Sequence, residues 1–97
     1  MTEDAEGPTL ADFSERVGEE FEVAVGGHRL ALALVAAEAL QGSQRPAGGF
    51  RLEFLGPLDP MLTQGIFAFA QGGDRWELFI VPLARSEVGT RYEAVFY

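Results

Sequence analysis

Residues 21–32 read Phe21-Glu22-Val23-Ala24-Val25-Gly26-Gly27-His28-Arg29-Leu30-Ala31-Leu32. Phe21, Val23 and Val25 alternate with Glu22 and Ala24, the period of a strand with one buried face. The Gly26-Gly27 pair permits the positive φ angles that a two-residue hairpin turn demands. With those two glycines as the whole loop, Val23 lies opposite Leu30 and Phe21 opposite Leu32. Both apolar sets then share one face, so register and pattern agree. Around Gly72-Gly73 a second hairpin, read the same way, pairs Phe69 with Trp76 and Phe67 with Leu78.

Further strands flank these hairpins. The first return strand runs from Arg29 to about Ala39, although its last part, Val35 to Leu40, fits a helix equally well by period. Phe50, Leu52 and Phe54 alternate with Arg51 and Glu53 as a third strand. Gly56-Pro57-Leu58-Asp59-Pro60 stops it, because proline cannot donate to a sheet ladder. A fourth strand is predicted over 63–71, a fifth over 75–82 and a sixth over 92–97; residues 41–49 read as a flexible connection. Toward the N-terminus, Thr9 has the character of a helix cap, with Asp12 in the capping-box position and Leu10, Phe13 and Val17 as one apolar stripe up to Gly18. About two turns of helix are unstable alone and must dock, and the sheet is the expected receiver. Docked there, the helix would cover part of the outer face of the fifth strand, which is apolar on both sides. The pattern is mainly β: a small antiparallel barrel or a strongly curved sheet of about six strands with one short N-terminal helix.

A chain of 97 residues fits one domain with one core, here residues 9–97 behind an acidic leader at 1–8 that reads as disordered. Cysteine is absent, which removes thiolate chemistry, disulfides and Cys-ligated zinc and agrees with a cytoplasmic location. The acidic start lacks the character of a secretory signal. No apolar run approaches the ~20 residues of a membrane-spanning helix. Charge is uneven: residues 1–22 hold eight acids against Arg16 alone, while the remaining seven acids nearly balance six arginines. With no basic face to neutralise phosphates, neither nucleic acid nor an anionic membrane is an expected partner. Arginine supplies every cation, lysine and asparagine are absent, and alanine and glycine abound, a composition that fits a GC-rich bacterial genome.

No residue constellation points to catalysis. His28 is the sole histidine and follows the Gly26-Gly27 turn, without an orienting partner nearby in sequence. The acids do not show the spacing of a calcium loop, and Asp59 and Asp74 read as turn formers. Ser14, Ser43 and Ser86 lack a nucleophile elbow. The glycine pairs at 26–27, 48–49 and 72–73 lack the spacing of phosphate loops. The expectation is therefore a non-enzyme with no catalytic residue, no metal and no cofactor.

Several blocks, in order, resemble one family. Val17-Gly18 and Phe21 are followed by Phe50-Arg51-Leu52-Glu53-Phe54 running into Gly56-Pro57, then by Leu62-Thr63-Gln64-Gly65, Leu78-Phe79-Ile80-Val81-Pro82 and Tyr92-Glu93-Ala94-Val95-Phe96. Over about residues 10–97 the chain resembles the DUF6916 family of short bacterial β-domains. That resemblance implies a run of small β-strands and no assigned activity, and some members lie near phage-tail-like collar proteins. It implies no site residue.

Two functions fit these readings. The first is a non-enzymatic protein-interaction or structural module, an accessory of a phage-tail-like assembly in its narrower form, docking on another protein or larger assembly, with homo-oligomerisation left open. Ile66, Phe79, Val81 and Tyr97 are its candidate contact surface, because the registers turn them away from the core. The second is a small-molecule-binding β-barrel in which Phe50, Phe54, Phe67, Phe69 and Trp76 line a cavity.

Overall fold

The six expected strands form, with longer boundaries in places. The structure is a computed structural model that describes residues 8–42 and 48–97. The leader at 1–8, apart from Pro8, and much of the 41–49 connection therefore lie outside the described residues. A short helix, α1 (Ala11–Ser14), precedes β1 (Glu20–Val25), β2 (His28–Leu40), β3 (Gly49–Gly56), β4 (Gly65–Gln71), β5 (Asp74–Ser86) and β6 (Gly89–Phe96). All neighbouring pairs are antiparallel, and the sheet closes into a barrel in the order β1-β2-β3-β6-β5-β4 and back to β1.

The hairpin registers are those of the sequence. Phe21 pairs with Leu32 and Val23 with Leu30 around Gly26-Gly27, whose φ angles of 52° and 87° make the tight turn. Phe67 pairs with Leu78 and Phe69 with Trp76 around the second turn. The ambiguous stretch from Val35 to Leu40 is strand: β2 absorbs an irregularity between Leu34 and Ala36 and continues along β3. The backbone groups it turns toward β3 are paired by that neighbour, which a sequence window cannot supply.

The barrel consists of two three-stranded meanders, β1-β2-β3 and β4-β5-β6, joined through β1 to β4 and β3 to β6. The two share a sequence. Residues 21–32 and 67–78, displaced by 46 positions, carry Phe, Ala, Gly, Gly, Arg and Leu at the same places. Val23 pairs with Phe69 at the centre of the β1–β4 seam. Equal placement of the two hairpins about that pair makes the seam pseudo-two-fold.

Inside, Phe21, Leu32, Leu34, Phe50, Leu52, Phe54, Phe69, Leu78, Ile80 and Tyr92 are fully buried. Rings meet rings: Phe54 lies 4.9 Å from Phe69 and 5.6 Å from Phe21, between centroids. The Tyr92 hydroxyl is also used, accepting the Leu62 N–H at 2.8 Å.

The N-terminal segment departs from expectation. The helix is one turn long, and Val17 is exposed rather than docked. Residues 15–18 leave the helix as turns, and Gly18 (φ 96°) donates its N–H to the Leu34 carbonyl at 2.7 Å, which steers the chain into β1 before a second helical turn can form. Of the expected capping box, the structure has the Asp12 half: its carboxylate accepts the Thr9 N–H at 2.8 Å. Nor does the helix cover the outer face of β5. Phe13 turns inward at one end of the barrel, 5.0 Å from Trp76, 6.0 Å from Phe50 and 6.1 Å from Phe21. A closed ring leaves its ends as the openings a helix can fill.

Where β5 turns into β6, Gly89 (φ 148°) approaches β3 so closely that a Cβ there would lie 2.2 Å from the Gly56 carbonyl oxygen. Gly89→Ala should therefore cost about 1–3 kcal/mol in a urea titration, since backbone on both sides has to yield.

Candidate functional site

The outer barrel surface over β4, β5 and β6 is built from residues that alternate with the core. Leu78 and Ile80 point in, which obliges Glu77, Phe79 and Val81 to point out. Ile66 pairs directly with Phe79 across β4 and β5. Ile66 is 67% exposed and Phe79 50%, and Val95, on the same outer face of β6, is also 50% exposed. Val81 is half-buried and sits opposite Glu93. Ile66, Phe79 and Val81 therefore lie together on one outer face, and Val95 is a further exposed apolar residue on β6. The alternation that exposes Tyr97 exposes Val95 as well, and that signal is present in the sequence.

Tyr97, although exposed, stands apart from the other three. Its hydroxyl donates to the Gln41 carbonyl at 3.5 Å, over the end of β2. The four predicted contact residues thus fall at two places.

Beside the patch lies a charged cluster that sequence reading did not foresee. Arg51 donates to Glu93 at 2.6 Å, to Glu53 at 2.8 Å and to Glu38 at 3.0 Å. Arg91 also pairs with Glu53. These residues come from β2, β3 and β6 and meet because Glu38 pairs with Arg51, and Glu53 with Glu93, across the ladders. Glu53 is nearly buried although it faces outward, because its neighbours' long side chains lie over it. The hydrogen bond from Arg51, above all, holds the Glu53 carboxyl below its ordinary 4.5, against the opposing effect of burial. Glu53 in turn contributes most to raising the Arg51 guanidinium.

The sign of the pH effect follows. A carboxyl whose folded value is depressed adds stability that is complete above the unfolded value and lost as pH falls through the folded one. The stability gap between the wild type and Glu53→Gln should be widest near neutral pH and shrink below about pH 4. Urea unfolding at the two ends of that range measures it.

His28 is exposed at the first hairpin, and Asp74 lies at the second, 2.7 Å from Arg16. Arg16 also donates to the Gln71 side chain at 2.6 Å, with its guanidinium 4.9 Å from the Trp76 ring centre. These are ties between the helix segment and the barrel rim. Among the described residues, no group of three or more His, Asp or Glu is placed to hold a metal, and no helix is long and apolar enough to cross a membrane. A shallow recess of about 250 Å3 lies on the β1–β4 seam, floored by Ala24, Ala68 and Ala70 between Arg29 and Arg75.

Comparison with protein families finds a match to a domain of unknown function, DUF6916, over residues 8–96. No curated protein and no solved structure matches the chain.

Proposed function

The chain belongs to the DUF6916 family, and on that premise we propose that it is a non-enzymatic interaction module whose contact surface is the outer face of β4 and β5. The observation that carries this reading is the pair Ile66 and Phe79, adjacent across two strands and exposed to water while the barrel's interior is filled. Contiguous apolar surface of this kind usually serves a partner. The packing of Phe21, Phe54 and Phe69 ring against ring supports this reading over a small-molecule barrel, which needs space where those rings lie. Action on a phage-tail-like particle is the narrower form of the proposal and stands on the neighbourhood of some family members alone. The cytoplasm is the compartment the proposal assumes.

The test compares tagged wild type with Ile66→Ser in pull-downs from the native host. Ile66 lies outside the core, so the variant should keep the wild-type melting temperature within about 2 °C, as surface substitutions do. It should lose a partner that the wild type captures. A partner retained at wild-type level by Ile66→Ser and by Phe79→Ser would rule out this face.

A further inference from the structure

Two long strands, β2 and β5, turn the corners of the barrel, and each changes partner midway. β5 pairs with β4 over Asp74–Ile80 and with β6 over Val81–Ser86. Among the described residues, the side of 74–80 turned away from β4 has no strand partner. Such an edge is a row of N–H and C=O groups that a further extended chain can complete. β2 presents the same kind of edge over 28–32.

Side chains distinguish the two edges. In the first hairpin Arg29 reaches Glu22 across the strands at 3.4 Å. In the repeated hairpin the position of Glu22 is taken by Ala68, and that of Ala31 by Glu77. Arg75 and Glu77 consequently stand exposed on one face of β5, and neither has an ion-pair partner among the described residues.

We propose that this edge pairs with the same edge of a second copy, antiparallel, about a two-fold axis at Trp76. In that register Arg75 faces the partner's Glu77, and the partner's Arg75 faces Glu77. Opposite charges directly across two strands attract, and like charges in that place repel. A register centred on Arg75 or on Glu77 would set like charges face to face, so the pair of charges selects both occupant and register. The net charge of −8 on each copy opposes association. Most of that charge lies in residues 1–22, and salt screens it beyond about 8 Å at physiological ionic strength. Phe79 lies near the end of this edge, on the same outward face as Arg75 and Glu77, whereas Ile66 lies on β4. Reversing Arg75 and Glu77 therefore tests the pairing without altering Ile66, whose serine variant tests the docking face.

Sedimentation equilibrium of the full chain, from about 1 μM to 1 mM, tests the proposal on the Kd scale of weak dimers. The wild type should show a monomer–dimer equilibrium. Arg75→Glu and Glu77→Arg, each of which replaces two attractions by two repulsions, should each weaken it by about tenfold or more. The double reversal, Arg75→Glu with Glu77→Arg, should restore it to within about threefold. A wild type that stays monomeric throughout, as expected if the edge instead takes a strand from a different protein, overturns the proposal. So do single reversals that dimerise like the wild type, or a double reversal that fails to recover.

Discussion

Phe13→Ala is expected to destabilise the protein by about 3–5 kcal/mol, a loss typical of a large aromatic removed from a full core. Phe13 is fully buried, and its ring touches Phe21, Phe50 and Trp76, which come from β1, β3 and β5. A one-turn helix has almost no stability of its own, so this side chain, with Leu10 packed against the core beside it and Arg16 at the rim, holds the segment to the barrel. Truncation opens the barrel end to water instead of leaving a closed void, and the helix should fray with it. Urea unfolding gives the loss, and amide exchange gives the fraying: the Gly18 N–H, bonded to Leu34, should lose protection first. A loss below about 1 kcal/mol would mean that the barrel closes without its plug.

The second large effect separates the two faces of β5. Leu78→Ala removes a fully buried side chain and should cost about 2–5 kcal/mol. Phe79→Ser, one residue away, changes a ring that is half exposed and has no helix over it, so its cost should be clearly smaller. The same variant should abolish capture of the partner while the monomer stays folded. Equal losses for the two variants would make Phe79 part of the core and remove the basis for a contact face there.

The fold was legible in its local parts. Alternation around Gly26-Gly27 and Gly72-Gly73 is enough to set both registers, because a slip of one residue would send Phe21 or Phe69 into water. Gly56-Pro57 ends β3 as its residues require. The repeated hairpin was legible too, as identical residues at 46-residue spacing, but its meaning emerges only when the two copies meet at the β1–β4 seam. The candidate site was half legible. Ile66, Phe79 and Val81 follow from strand parity, whereas the charged cluster beside them joins three strands far apart in sequence.

By itself, the sequence determined which residues alternate, where the chain reverses and which side chains must leave water, since period and turn chemistry act over a few neighbouring residues. Tertiary structure alone decided the rest. Ring closure left the barrel ends open, so Phe13 became a plug rather than a cover for β5. Pairing with β3 made residues 35–40 a strand, because backbone groups take the partners that are nearest in space. Long-range pairing also brought Glu38, Arg51, Glu53, Arg91 and Glu93 together, where mutual attraction keeps a nearly buried carboxylate charged on an outward face.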